Sequence, residues 1–258
     1  MARPPSIAVI MPVRNGMPLI RESVESIRRQ AYSPLEFIVV DDGSSDGTQQ
    51  YVRELDGFCT RLLQRDGAGP AAARNAAIRV AEADFIAFLD ADDLWTDGAL
   101  HALMQALEEN PSAGFAQGLI QNFRVCPSGE KEFFTLPYRF LNLGACLWRR
   151  EIFSTVGLLD DSLRLGEDLD FLMRCWEKDI PKAAVHRVIL HYRRHPGNMT
   201  RDLSGAGFGT VRVYKRRIER IRMGLFDPDA PRRFNEHAYL GQSPPHQDGV
   251  IASNRPRG

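Results

Sequence analysis

Asp84-Phe85-Ile86-Ala87-Phe88-Leu89-Asp90-Ala91-Asp92-Asp93 decides the fold. Its apolar run is too short for a helix and has no polar alternation, so it reads as a strand buried on both faces. It ends in three carboxylates within four positions. Two similar runs lie upstream. Ile7–Met11 leads into Pro12-Val13-Arg14-Asn15-Gly16, and Leu35–Val40 leads into Asp41-Asp42-Gly43-Ser44-Ser45-Asp46-Gly47-Thr48. Between them, Leu19, Ile20, Val24, Ile27 and Ala31 recur at helical spacing until Ser33-Pro34. Asp46 is placed to cap a helix running to about Leu55. A weaker strand over 59–64 follows, then a loop at Gly67–Gly69. Pro70 opens an alanine-rich helix carrying Arg74 and Asn75. A helix over Asp97–Glu109 closes this half. Strand and helix alternate, which predicts an α/β fold with a mainly parallel sheet and right-handed crossovers. Ligands bind such sheets beyond the carboxyl ends of the strands. Pro12–Gly16, Asp41–Asp46 and Asp90–Asp93 are therefore expected to face one crevice.

The second half is less regular. Gly114–Val125 reads as one or two strands, Tyr138–Trp148 as an extended stretch broken at Gly144, and Glu151–Val156 as a short helix. Leu165-Gly166-Glu167-Asp168 introduces a helix to about Lys178, and 184–194 reads as a strand. Val211, Tyr214, Ile218 and Ile221 mark a basic amphipathic helix over 211–223. It has two readings: a solvated face on a packing helix, or peripheral contact with an anionic membrane or a partner. The last 30 residues are rich in Pro, Arg and Gly and read as a disordered tail.

The chain has 258 residues, enough for one α/β domain with a short appendage. Lys+Arg and Asp+Glu both total 33, so nothing global argues for nucleic acid or an anionic membrane as the main partner. Cys59, Cys126, Cys146 and Cys175 form no C-x-x-C pair; reduced thiols in a cytoplasmic compartment are expected. The first apolar run is broken by Pro12 and Arg14, too soon for a signal peptide. No run approaches the length of a membrane span.

Carboxylates crowded at a strand end are costly unless a cation neutralises them. Hard divalent cations take oxygen ligands, often one or two carboxylates with phosphate oxygens. The cluster at 90–93 therefore suits a metal–diphosphate, although acids are also common at a solvated helix start. Asp42-x-Ser44-x-Asp46-Gly47 resembles a calcium loop only faintly, since Arg53 stands at the twelfth position. Gly67-x-Gly69-x-x-Ala72, with Asp90 about 20 residues on, imitates a dinucleotide fingerprint and gives a competing reading as an NAD-dependent oxidoreductase. Glu167-Asp168 is either charge compensation at a helix start or a source of a general base. His186 has the opposite strand parity from His191 and His195, which excludes a three-histidine site. His195 is left free to join a metal site built elsewhere.

Taken in order, these segments resemble the family 2 glycosyltransferases. The carrying motifs are Val9–Gly16, Ile38–Thr48, Ala73–Ile78, Phe88–Asp93, Glu167–Phe171 and Tyr192–His195. The resemblance runs from about Ile7 to Thr200 and implies a GT-A domain over residues 1–200, a Rossmann-like, mainly parallel sheet with a small mixed acceptor-side sheet. Residues 201–258 are then the basic helix and tail. It further implies an inverting, non-processive transfer of one sugar from a nucleoside-diphosphate sugar, a UDP-sugar by resemblance, to an acceptor hydroxyl. Pro12, Val13, Asn15, Asp41, Asp42, Arg74, Asp90 and Ala91 would serve the donor nucleotide, with Asp90 at the ribose or metal region. Asp92 would hold Mn²⁺ or Mg²⁺, with His195 as an extra ligand. Asp168 would be the catalytic base, and Glu167, Leu169 and Trp148 would lie on the acceptor side. The acceptor is left open among a glycan, a lipid-linked glycan, a peptide and a small molecule. The expected location is cytoplasmic, at most peripheral at the inner face of the membrane. A catalytically idle sugar-nucleotide-binding domain is a third possibility. The Gln-x-x-Arg-Trp motif of processive synthases is absent, and Leu169 stands where the family often has an aromatic residue.

Overall fold

A computed structural model describes residues 4–57, 59–140, 142–199, 203–230, 232 and 236–241. The first half alternates as the apolar runs require. β1 (Ile7–Val13), α1 (Ile20–Arg28), β2 (Leu35–Asp41), α2 (Thr48–Arg53) and β3 (Cys59–Gln64) are followed by α3 (Pro70–Val80), β4 (Phe85–Phe88), β5 (Leu94–Trp95) and α4 (Ala99–Glu109). The second half holds β6 (Phe115–Val125), β7 (Lys131–Phe133), a 3-10 turn at Leu143–Ala145, β8 (Cys146–Arg149), α5 (Ile152–Thr155), α6 (Glu167–Glu177), β9 (Lys182–Arg193), α7 (Leu203–Arg222) and α8 (Glu236–Leu240).

The described strands form one sheet in the order β3-β2-β1-β4-β8-β6-β9-β5, with β7 on β6. β3, β2, β1 and β4 run parallel. β8 pairs antiparallel with β4 and with β6, so the mixed half of the sheet is continuous with the parallel half. β1 and β4 are buried throughout, and β2 is buried from Phe37 onward. The side-chain alternation of β1 splits the core. Ile7, Val9 and Met11 pack toward α1 and α4, while Ala8 and Ile10 pack toward α3 and α6. Asp46 does act at the start of α2, one residue outside its Gly47 cap: its Oδ1 accepts from the Thr48 amide and hydroxyl, and its Oδ2 from the Met17 amide.

Two sequence expectations change. Trp148 is fully buried, stacked on Phe115 at 4.2 Å between ring centroids and set edge-on to Phe171, so it belongs to the core rather than to an acceptor surface. The stretch beyond about residue 228 also packs more than its composition suggests. Tyr239 and Leu240 of α8 are buried, and the Tyr239 hydroxyl donates to the Ile180 carbonyl at 2.7 Å. Tyr239 meets Phe115 edge-on, so α8 covers the aromatic cluster around Trp148. The rest of the expected tail, 242–258, lies outside the described residues. Tyr239→Ala should therefore cost about 3–5 kcal/mol, the usual range for emptying a buried aromatic site, read as the shift in a urea unfolding curve. An unshifted midpoint would return α8 to the tail.

α7 starts at Leu203, earlier than its apolar periodicity suggested, and is pinned to α6 by ion pairs. Arg220 reaches Asp170 at 2.9 Å and Glu177 at 2.7 Å. Among the described residues, no helix is long and apolar enough to cross a membrane.

Candidate active site

The carboxyl ends of β1, β2, β3 and β4 open into a cleft of about 670 Å³. Pro12 to Gly16, Asp42, Gly67 to Pro70, and Asp90 to Asp92 line its sheet side. The opposite wall comes from Asn142–Leu143, from Asp161 and Leu163–Asp168, and from Tyr192, His195 and Gly197–Met199 beyond β9. Asp42 and Asp92 thus share one cavity, as the strand ends require.

Asp42 organises the sheet side. Its amide donates to the Val13 carbonyl at 2.8 Å, while its Oδ1 and Oδ2 accept from the amides of Ala68 and Gly69 at 2.9 and 2.8 Å. Asn15 ties β1 to the following loop: its amide donates to Ser44 Oγ and its Oδ1 accepts from the Ser45 amide. Asp41 lies beneath rather than in the cleft. It is buried, and its Oδ2 accepts from the Ser44 amide and Gln49 Nε2.

Arg74 joins the two walls. Its Nη1 donates to Glu167 Oε1 at 2.8 Å and its Nη2 to Asp90 Oδ1 at 2.5 Å. Burial alone would weaken the guanidinium charge, but Asp90 and Glu167 reverse that and hold its pKa above the ordinary value. Both Glu167 and Asp168 line the cleft. Their roles still differ, because Glu167 is committed to Arg74. The left-handed backbone of Gly166, φ 90°, starts α6 at this wall, and among the described residues Asp168 accepts from the Leu169 amide alone, at 2.7 Å. Burial and the neighbouring Glu167 charge push the Asp168 carboxyl up to about 7, against the pull of that amide and of Arg74. Leu169 is turned away from the cleft and packs on the core.

Asp92 and His195 form the third cluster. His195 Nε2 lies 3.0 Å from Asp92 Oδ2, and Asn198 Nδ2 donates to the same oxygen at 3.3 Å. Burial and then the Asp90 charge raise the Asp92 pKa, opposed by His195. Asp93 is buried behind it, accepts from the Arg193 amide at 2.8 Å, and has its pKa raised well above the usual value by burial and by Asp92 and Asp90. Arg193 Nε caps the Asp92 carbonyl at 2.7 Å. The Ala91 carbonyl accepts from Ser23 Oγ at 2.9 Å, so the 90–93 turn is fixed from both sides.

Comparison with known proteins decides the family. The model of the glycosyl transferase family 2 matches residues 8–154, more than half of the chain. The chain belongs to glycosyltransferase family 2. An uncharacterized Bacillus subtilis glycosyltransferase, EpsJ, is 27% identical over 76% of this chain and 63% of its own length. The Escherichia coli UDP-Glc:alpha-D-GlcNAc-diphosphoundecaprenol beta-1,3-glucosyltransferase WfgD is 38% identical over 40% of this chain and 42% of its own. A Campylobacter jejuni GalNAc(5)-diNAcBac-PP-undecaprenol beta-1,3-glucosyltransferase is 36% identical over 45% and 39%. The chain covers less than two thirds of the length of each of these relatives. The crystal structure of S. aureus TarS 1-349 in complex with UDP-GlcNAc overlays with a TM-score of 0.61 at 23% identity, covering 75% of this chain and 60% of that one. That likeness supports the GT-A fold that the family resemblance implied.

Leu19, Asn142, Leu143, Asp161, Leu163, Arg164 and Met199 line the cleft without having been singled out in the sequence. Most lie on the irregular second half, where no periodicity marks an inward direction. The run Leu163-Arg164-Leu165-Gly166 before Glu167 was the one available signal: a Gly-ended loop leading into acidic residues.

Proposed function

We propose that this chain transfers a sugar from a UDP-sugar to a hydroxyl of a lipid-linked glycan, with inversion, one sugar at a time. The observation that carries this is the meeting of Asp42, the Asp92–His195 pair and Asp168 in one cleft of a family 2 fold. These groups sit far apart in sequence and match the three tasks of such a reaction: holding the nucleoside, holding the diphosphate and accepting a proton. The names of the WfgD and Campylobacter relatives, both of which include a diphosphate-linked undecaprenol, support this acceptor class. An enzyme acting on such an acceptor would work peripherally at the inner face of the membrane.

The dinucleotide reading loses its physical basis in the Gly67–Gly69 loop. In that reading the loop's amides receive a pyrophosphate, yet the amides of Ala68 and Gly69 already donate to Asp42.

The residues present fit a divalent cation. Among the described residues no three His, Cys, Asp or Glu side chains make a complete cage. Mg²⁺ and Mn²⁺ sites of this kind do not require one, since substrate phosphates and water supply the other positions. Asp92 and His195 offer an oxygen and a nitrogen 3.0 Å apart, and burial first, then carboxylate crowding, raises the pKa values of Asp92 and Asp93, a charge cost that a cation relieves. Bound there, Mn²⁺ or Mg²⁺ would neutralise charge developing on the departing nucleoside diphosphate. Asp92→Asn should lower affinity for the Mn²⁺–UDP pair by about 10²-fold, roughly the worth of one lost charged ligand, measured calorimetrically. Unchanged Mn²⁺-dependent binding would remove Asp92 from this role.

In the reaction, the acceptor hydroxyl attacks the anomeric carbon as the bond to the diphosphate breaks, and Asp168 takes the hydroxyl proton. Pro12, Val13 and Asp42 hold the nucleoside, and Arg74 keeps Asp90 and Glu167 neutralised, so that the Asp168 carboxylate meets the acceptor without competing for that cation. With the Asp168 pKa at about 7, kcat/KM should rise with pH through an acid limb near neutrality and level off above it. A limb near 4 would show a base lacking this environment. The function itself is tested by a panel of UDP- and GDP-sugars scored for nucleotide release with Mn²⁺. Release from at least one UDP-sugar is expected. No release from any donor, with NAD bound instead, would overturn the proposal.

A further inference from the structure

We propose that the exposed face of α7 is a docking surface for an anionic phospholipid bilayer, placed so that the acceptor side of the cleft opens at the headgroups. The proposal rests on the reading of a lipid-linked acceptor and adds the element that brings the enzyme to it. Val211, Tyr214 and Ile218 stand three and four residues apart, so they form one stripe along α7. They are 66%, 45% and 48% exposed, and Met223 and Leu225 continue the apolar surface just past the helix end, each 71% exposed. A face meant only for solvent would not carry five large apolar side chains in sequence.

The cations of α7 fall into two groups. Arg216, Arg217 and Arg220, which face the protein, pair with Asp160, Glu236 and Asp170 respectively, and Arg220 also takes Glu177. Arg212, Lys215 and Arg222 border the apolar stripe and are exposed, and no ion pair to them is recorded among the described residues. The acid on that side of the helix, Glu219, is taken by Arg216 at 3.0 Å. An apolar stripe bordered by unneutralised cations is complementary to a bilayer surface, where the stripe enters the headgroup–acyl boundary and the cations meet lipid phosphates. A nucleic acid would leave the stripe unused.

The surface is continuous with the active site. A groove of about 370 Å³ between α7 and the loop before α6 is lined by Ser162, Leu163, Arg212, Lys215, Arg216 and Glu219, the acid that Arg216 holds. Leu163 also lines the main cleft, beside Arg164 and on the same wall as Asp168. A bilayer against α7 therefore lies next to the wall that holds the base, which shortens the path for an acceptor whose lipid stays in the membrane.

The test is co-sedimentation of the full chain with phosphatidylcholine vesicles, with and without phosphatidylglycerol. Binding is expected only with phosphatidylglycerol and should be lost at high salt. The charge reversal R212E/K215E/R222E should weaken it by at least about 10²-fold, three cations each contributing about fivefold at the surface. V211S/Y214S/I218S should also abolish it. Both variants should keep the wild-type melting temperature and release nucleotide from a UDP-sugar in solution, since the changed side chains are exposed and outside the main cleft. Failure of the wild type to bind anionic vesicles, or wild-type binding by either variant, overturns the proposal. So does a dimer by light scattering that V211S/Y214S/I218S splits, which would make this face a self-interface. Nucleotide release without vesicle binding refutes the docking surface alone, whereas vesicle binding without any nucleotide release refutes the catalytic reading and leaves the surface standing.

Discussion

Asp168→Asn lowers sugar transfer by about 10²–10⁴-fold while UDP–Mn²⁺ binding stays near the wild-type value, because a positioned base acts in the transition state rather than on donor affinity. The neighbouring carboxylate cannot take over: Glu167 is held by Arg74 at 2.8 Å, and moving it would leave a buried guanidinium half-paired. The same substitution should stabilise the fold. The carboxyl pKa is raised to about 7 in the folded protein from an ordinary 3.8, so the folded state binds the proton more tightly than the unfolded chain between those values. Stability is then lost as pH rises from about 4 to about 7, and the full penalty is present above 7. Asn cannot ionise, so the variant should melt higher than wild type at pH 8, by roughly 4–8 °C if about 2 kcal/mol of the penalty is relieved. The difference should vanish near pH 4. An Asp168→Asn protein that transfers sugar normally, or that melts lower at pH 8, would move the base elsewhere.

Arg74→Met has the second large effect, on the fold rather than on the chemistry. It fills similar volume but leaves Glu167 and Asp90 without their cation, with Glu167 buried in the wall of the cleft. Removing one partner from a buried pair typically costs about 3–5 kcal/mol, because the other charge is left uncompensated. The loss should be largest at pH 8 and smaller at pH 5, where protonation of the orphaned carboxyls becomes cheaper. Adding Glu167→Leu should restore part of the stability, since it removes the group that was orphaned. Urea unfolding at the two pH values measures both. A loss that is the same at both would show that Arg74 contributes packing rather than charge.

The parts of this architecture visible in the sequence are those whose forces are local. β1, β2 and β4 were placed to within a residue or two because a run buried on both faces has no polar position to blur its ends. Their polar termini then put Asp42 and Asp92 at one edge through the rule for parallel sheets, before any side-chain contact was known. What stayed hidden depends on distant partners. Arg74 is one residue of an alanine-rich helix until Glu167, 93 positions on, gives it a task. Tyr239 stands in a stretch rich in polar residues and prolines, and it is buried because Ile180 and Phe115 receive it from 59 residues away and more. Trp148 stacks on Phe115 across the β6–β8 pair, which the motif order could not reveal. The first turns of α7 contain Gly205 and Gly207, poor helix formers that hid its true start.

The central claim is that this cleft binds a nucleoside diphosphate through a divalent cation. Calorimetric titration of the wild-type chain with UDP, in Mn²⁺ and again in EDTA, tests it most directly. The account predicts one site that binds UDP in Mn²⁺ and binds it at least about tenfold more weakly without metal. No UDP binding in either condition, or equal binding in both, would contradict it.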